Sequence, residues 1–373
     1  MDPALRQIAE RIRAAATATD TTLPLRIRGG GTKDFYGEPP RGTPLSTTDL
    51  TGITSYEPSE LVVTVRAGTP LAELEAVLAA QGQCLPFEPP RFGEGGTVGG
   101  MVAAGLSGPA RASVGAVRDY VLGATLVNGR GEVLTFGGQV MKNVAGYDVS
   151  RVLAGSLGVL GLIAEVSLKV LPVPPAEATL RFECTQADAL RLLHGWGGQP
   201  LPLNASRWMA RQGEGDGGTL WLRLRGAAAA VASACVHLGG EQLDDAQARA
   251  DWQAARDLRL PWFEARGTRD LWRLSVPQTA PVLALDGPSL IEWHGGQRWY
   301  GAPAGQGARM RAAAREAGGH ATLFMAADRG DATRRFDTLS PPLERIQRAL
   351  ANEFDPHAVF DRARLHPDAV PSA

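Results

Sequence analysis

The sequence predicts an α+β protein in two parts, and three observations carry the prediction. Short β-branched runs alternate with helical periodicities up to about residue 172. The cluster Leu171-Pro172-Val173-Pro174-Pro175 then interrupts any helix or central strand. Composition also changes there: 25 of the 45 glycines and all three lysines (Lys33, Lys142, Lys169) precede it, whereas all eight tryptophans follow it, from Trp196 to Trp299.

At the N-terminus Leu5, Ile8 and Ile12 recur at helical spacing among charges, which predicts a surface helix up to Ala18. The apolar and basic run Leu23 to Ile27 predicts a strand, followed directly by Arg28-Gly29-Gly30-Gly31-Thr32-Lys33. Three successive glycines let the backbone take positive φ and bring amides close to an anion; taken alone, the triplet is equally an ordinary turn. Leu61 to Val65 predicts a second strand, Ala67-Gly68-Thr69-Pro70 a turn, and Leu71 to Ala80 an amphipathic helix stopped by Gly82. A second glycine cluster, Gly93 to Gly100, leads into the small residues Met101 to Gly108. Tyr120 to Asn128 and Val133 to Phe136 flank Asn128-Gly129-Arg130-Gly131 and predict a hairpin. A third cluster, Gly155 to Gly161, enters Leu162 to Val170, whose alternation predicts a strand with one buried face. Beyond the prolines, Thr219 to Arg225 predicts a strand and Ala227 to Val236 a helix, with the tryptophans as core.

Several function classes are excluded. No Gly-Lys-Ser/Thr tripeptide is present to hold a triphosphate, and neither glycine cluster has the G-x-G-x-x-G spacing of a dinucleotide fold. A net charge of −1 gives no nucleic-acid footprint. Cys84, Cys184 and Cys235 are isolated, and the histidines at 194, 237, 294, 320, 357 and 366 form no metal-binding spacing. No uncharged run approaches the roughly 20 residues that span a bilayer, so a cytoplasmic location is expected, with at most peripheral attachment to the inner face of the membrane.

Three glycine clusters in one chain predict convergence on one extended ligand. The order RGGGTK, GGTVGGMVAAGLSG, VRDYVLGATLVNGRGEVLTFGG and MKNVAGYDVSRVLAGSLGVLGLIAEVSLKVLPVP resembles the PCMH-type FAD-binding domain of the vanillyl-alcohol oxidase superfamily. The run Lys142 to Asp148 with Gly155 to Gly158 is most similar to the FAD-binding subunits of bacterial glycolate oxidases. The resemblance implies an FAD domain over 1–172 (subdomains 1–57 and 58–172), an α/β cap with an antiparallel sheet over 176–340, and a segment 341–373 that returns to the FAD domain. It places Arg28, Gly29, Gly30, Gly31, Thr32 and Lys33 at the pyrophosphate, with glycines rather than a strong positive cluster neutralising it. Gly95, Gly96, Thr97, Gly99, Gly100, Gly105 and Ser107 would lie along phosphate, ribose and flavin, and Gly158 and Ile163 would offer backbone contacts. No His or Cys stands near Arg28 to Tyr36, which implies non-covalent FAD. The tail reads Phe360-Asp361-Arg362-Ala363 where relatives read Phe-Asn-Pro-Gly, so no flavin contact is assigned to it.

The implied chemistry is oxidation of a 2-hydroxy acid by hydride transfer to flavin N5, with a sister FAD-linked subunit and an iron–sulfur subunit as partners. The His-x-Gly-Asp-Gly-Asn-x-x-His metal site of larger relatives is missing. The base is left unassigned among Tyr147, His294, Arg298 and Tyr300. An electron-relay or assembly subunit without its own substrate site, or an oxidoreductase of another alcohol, stands as the alternative.

Overall fold

A computed structural model describes residues 2–18, 23–138, 148–211, 216–328, 330–331, 333–365 and 367. The chain forms two compact units: Met1–Leu106, Ala116–Pro172 and Thr338–Ala373 make one, and Ser107–Gly115 with Val173–Asp337 the other. Of the motifs read from the sequence, Lys142 to Tyr147 lies outside the described residues, as does His366.

The first unit opens on α1 (Pro3–Thr17), where the Asp2 carboxylate accepts from the Ala4 amide at 2.8 Å. Ile8, Ala9 and Ile12 of α1 are buried in one apolar cluster with Leu25, Leu45, Leu162 and Phe360. The stripe expected on the surface is thus a core seam, because a sheet and the tail of the chain supply apolar partners for it. Next, β1 (Leu25–Arg28) pairs in parallel with β2 (Thr43–Ser46), Leu25 opposite Thr43 and Arg28 opposite Ser46. There follow β3 (Ile53–Glu57), β4 (Val62–Arg66), α2 (Leu71–Ala80), β5 (Gln83–Cys84) and α3 (Val98–Ala104). The short α4 (Arg111–Val114) belongs to the second unit. The chain then returns with β6 (Val121–Val127), β7 (Val133–Gly137), β8 (Leu162–Lys169) and β9 (Leu171–Pro172).

An antiparallel sheet of order β3-β4-β8-β6-β7 forms the middle of this unit. The β6–β7 hairpin closes as its sequence predicts: the Asn128 side-chain oxygen accepts from the amides of Arg130 (3.0 Å) and Glu132 (2.9 Å). Strand β8 departs from expectation. It is the central strand and is buried on both faces, with Ile163, Val166 and Leu168 in the core that holds α2 and α3, and Leu162 and Ala164 in the cluster that holds α1. Its Glu165 and Ser167 mimic the alternation of a half-exposed strand, yet Ser167 is buried and its hydroxyl bonds Thr64 across the ladder at 2.9 Å.

The second unit is built on an eight-stranded antiparallel sheet. In chain order it holds β10 (Ala176–Thr185), α5 (Gln186–Gly197), β11 (Leu203–Ala210), β12 (Gly217–Gly226), α6 (Ala228–Leu238), β13 (Glu241–Gln242), α7 (Asp245–Arg256) and α8 (Pro261–Glu264). It continues with β14 (Asp270–Ser275), β15 (Ser289–Glu292), β16 (Gln297–Ala302), α9 (Gly307–Glu316) and β17 (His320–Met325). The strand order is β13-β10-β12-β11-β15-β16-β14-β17. Trp208, Trp252, Trp272 and Trp299 are core residues, as expected. Tryptophans also act as platforms: the buried Arg207 guanidinium lies 4.4 Å from the Trp221 ring centroid and 5.2 Å from that of Trp252, and Trp272 and Trp293 carry Arg311 and Arg111.

The chain then returns to the first unit with α10 (Pro341–Phe354), whose Ala351 joins the central core. Among the described residues no helix is long and apolar enough to cross a membrane.

Candidate cofactor-binding site

The glycine loop leaves β1 at Arg28 and tightens through two turns, Asp34 N–H to Gly31 C=O (3.2 Å) and Tyr36 N–H to Lys33 C=O (3.0 Å). Gly31 has φ 74°, in the left-handed region that favours glycine. Gly30 is required for a different reason than ligand approach, because a Cβ there would overlap the carbonyl oxygen of Gly95. The loops 29–33 and 93–96 therefore touch backbone to backbone, and part of the glycine signal reports this contact.

A clamp from the far end of the chain fixes the loop. The Asp355 carboxylate accepts from the amides of Val359 (2.9 Å) and Phe360 (3.0 Å), turning the tail so that Leu25 N–H bonds Val359 C=O (2.7 Å) and Asp361 N–H bonds Leu25 C=O (3.1 Å). Arg364, 8% exposed, then donates to the carbonyls of Tyr36 (2.5 Å), Asp34 (3.4 Å) and Glu38, while Glu38 N–H bonds Arg364 C=O at 3.1 Å. Burial pulls the Arg364 guanidinium below its ordinary pKa. The Asp-Arg-Ala-Arg departure from the family's tail is thus a structural clamp.

These elements line a narrow cavity of about 100 Å3, open to solvent. Of the residues expected at the cofactor, Arg28, Gly29, Gly30, Gly31, Thr32, Lys33, Thr97, Gly99, Gly100, Gly158 and Ile163 line it. Gly95, Gly96 and Gly105 are not in its wall: Gly95 abuts Gly30, the Gly96 carbonyl accepts from Leu71 N–H at 2.8 Å, and Gly105 ends α3 at φ 64°. Ser107 groups with the second unit and is likewise absent from the lining. Arg26 and Arg364 also line the cavity, although sequence reasoning missed both. Basic residues at i and i+2 of a short strand (Arg26, Arg28) were the available signal for Arg26; Arg364 gave none.

The donor set fits a polyanion. The amides of Gly29, Gly30, Gly31 and Thr32 have no acceptor among the described residues, and all four belong to the lining. Arg26 Nε is buried without a hydrogen-bond partner there. Gly99 N–H is already used by Ala67 C=O (2.7 Å) and Gly100 N–H by Thr97 Oγ1 (3.2 Å), so α3 contributes wall rather than donors. Arg26, Arg28, Lys33 and Arg364 surround the cavity, against Asp34, which pairs with Arg28 at 3.0 Å. Basic residues thus stand beside the glycines, although Arg28 is paired with Asp34 and Arg364 with loop carbonyls. Ile27, Ala67, Ala103, Leu157 and Ile163 supply apolar wall for a flat ring system. If Arg26 holds a phosphate, Arg26→Gln should weaken FAD binding about tenfold or more, the worth of a charge-assisted bond, and leave riboflavin binding unchanged in the same titration.

The candidate bases fare unequally. Arg298 is fully buried and donates to the carbonyls of Gly295 (2.6 Å) and Ala280 (3.0 Å), and Tyr300 is 2% exposed with its phenol pKa raised by burial. Both serve the core of the second unit. His294 follows Trp293 in the left-handed region, each at φ 54°, with its amide on Ser206 Oγ (3.0 Å) and its Nε2 on Ser113 Oγ (2.9 Å). Burial draws its imidazole down to about 4, which keeps the ring neutral at physiological pH. Tyr147 lies outside the described residues.

A donor-lined cradle beside an apolar wall, on a mixed fold with an antiparallel sheet, defines an FAD-binding flavoprotein, and the family described as "FAD binding domain" matches residues 4–137. The chain is 44% identical over 349 residues to the glycolate oxidase subunit GlcE of Escherichia coli (strain K12), covering 94% of each protein. It belongs to that family, and is an FAD-dependent oxidoreductase of the PCMH type. Glycolate oxidase subunit GlcD of Bacillus subtilis (strain 168) is 30% identical over 49% of this chain and 39% of that protein. D-lactate dehydrogenase of Archaeoglobus fulgidus is 29% identical over 53% of this chain and 48% of that one. Against both, the chain matches less than half of the relative's length. Among solved structures, alkyldihydroxyacetonephosphate synthase superposes with a TM-score of 0.63 over 96% of this chain and 74% of that chain at 15% identity, a likeness of fold alone.

Proposed function

We propose that this chain is the FAD-binding subunit of a glycolate oxidase complex that oxidises glycolate or a related 2-hydroxy acid and passes electrons through a sister FAD-linked subunit to an iron–sulfur subunit. The observation that carries this reading is identity to a named glycolate oxidase subunit along nearly the whole of both proteins. The residues 1–172, in subdomains 1–57 and 58–172, would form the FAD domain, 176–340 the cap, and 341–373 the returning segment. Bound FAD supplies the hydride acceptor. The chain's own residues would do the rest: the amides of Gly29 to Thr32 and the Arg26 guanidinium hold the pyrophosphate, Arg364 holds the loop, and Ile163 with Leu157 keeps water from the ring. Attachment is non-covalent, so FAD should leave on denaturation. Cys84, Cys184 and Cys235 lie in β5, β10 and α6, and among the described residues no cluster of His, Cys, Asp or Glu could hold a metal, so onward transfer requires a partner. A cytoplasmic location, with peripheral attachment at most, goes with this reading.

A second reading, a relay subunit without its own substrate site, is favoured by the structural employment of Arg298 and Tyr300. Anaerobic spectroscopy separates the two. The purified flavoprotein is expected to lose its flavin absorbance on addition of glycolate or D-lactate without any partner. Bleaching that appears only when the sister subunit is added would establish the relay, and bleaching by neither acid would remove 2-hydroxy acids as its substrates.

A further inference from the structure

We propose that the second unit carries a docking groove for an acidic segment of a partner subunit; the inference rests on the reading of the chain as part of a complex. The groove lies where the end of β11 (Trp208 to Arg211), α8 with the turn after it (Trp262, Arg266, Arg269) and Gly301 of β16 converge. It measures about 960 Å3, at the upper end of the roughly 300–1,000 Å3 of ligand pockets, and it is open to solvent, so that an extended segment can lie in it.

Its charge is unbalanced. Arg211, Arg266 and Arg269 line it against a single carboxylate, Asp216, among the described residues. Several arginines elsewhere in this unit meet carboxylates, Arg207 with Asp251, Arg225 with Glu177 and Arg256 with Asp257, whereas the buried Arg298 is held by carbonyls alone. Arg211 too has its partner, Glu183. Arg266 instead donates to the Arg269 carbonyl (2.5 Å) and points its other terminal nitrogen at the Met325 sulfur (3.9 Å), and among the described residues neither Arg266 nor Arg269 meets a carboxylate.

A second polar group points the same way. Trp262 Nε1 is buried without an acceptor among the described residues, although an indole N–H is a donor that a core normally satisfies. Two arginines that meet no carboxylate among the described residues, and an indole donor unsatisfied among them, would be served by acceptors of negative charge. Tryptophan and arginine together are the composition of interface hot spots, where a partner's carboxylates are desolvated and paired. An extended run of Asp or Glu side chains matches both the charge and the open shape.

The test uses the assembled complex. This chain, tagged and co-expressed with its FAD-linked and iron–sulfur partner subunits, is captured as wild type, as Arg266→Glu/Arg269→Glu and as the milder Arg266→Ala/Arg269→Ala. Partner recovery should fall about tenfold or more in the charge reversal and less in the alanine pair, and wild-type recovery should fall as salt is raised. Bound FAD per chain should be unchanged, because the cradle belongs to the first unit. Wild-type partner recovery in both variants would overturn the groove while leaving the complex standing. A wild-type chain captured alone would overturn both together.

Discussion

Replacing Arg364 with methionine should destabilise the protein by about 3–5 kcal/mol and empty it of FAD. Methionine keeps much of the stem volume and removes the fork that reaches three carbonyls, those of Asp34, Tyr36 and Glu38. Each buried acceptor left unpaired costs about 1–3 kcal/mol. Arg364→Lys should recover only part of the loss, because a single ammonium head cannot address three carbonyls from one position. Denaturant melts, with flavin absorbance measured on the same samples, give both quantities. A variant that retains stoichiometric FAD at wild-type stability would show that the tail does not hold the loop.

Gly30→Val is expected to be nearly as damaging, and through the protein rather than through the ligand. Its Cβ would overlap the Gly95 carbonyl oxygen, and two further methyls would have to be placed between loops already in backbone contact. Overpacking of this kind costs about 1–3 kcal/mol, or a melting temperature lower by roughly 2–12 °C for a unit of this size. The measurement that matters is thermal unfolding of protein stripped of FAD. If Gly30 served only ligand approach, the stripped variant would melt with the stripped wild type; a lowered melting temperature without flavin assigns the glycine to the contact with Gly95.

Local signals in the chain were dependable where one residue sets one turn. Pro70 before α2, Asn128 in the β6–β7 hairpin and the glycines beside β1 each act over a few residues, and the elements they predict are present. Burial was less legible, since it depends on what arrives from elsewhere. The stripe on α1 and the alternation on β8 look half-exposed until Phe360 and the neighbouring strands cover them. The cofactor cradle divides in the same way. That Gly29 to Thr32 form a glycine loop at the end of β1 was readable, whereas Arg364 reaches the loop from 330 residues beyond Asp34 and leaves no periodic trace. Gly95, Gly96 and Gly105 lie outside the cavity lining, and Gly105 packs directly on the Gly155 backbone, a close approach that glycine permits as readily as it permits a ligand.

The pairing of β1 with the tail also sets an order of assembly during synthesis. Strand β1 emerges among the first residues, yet its bonds to Val359 and Asp361, and the carbonyl clamp of Arg364, need segments made more than three hundred residues later. The second unit, apart from residues 107–115, is one continuous stretch, and all its strands are available once Met325 has been made. Translation therefore hands the ribosome-bound chain a complete second unit while the first still waits for its closing turn. The bonds that close β1 and the carbonyl clamp of Arg364 are thus the last contacts of the first unit whose residues become available.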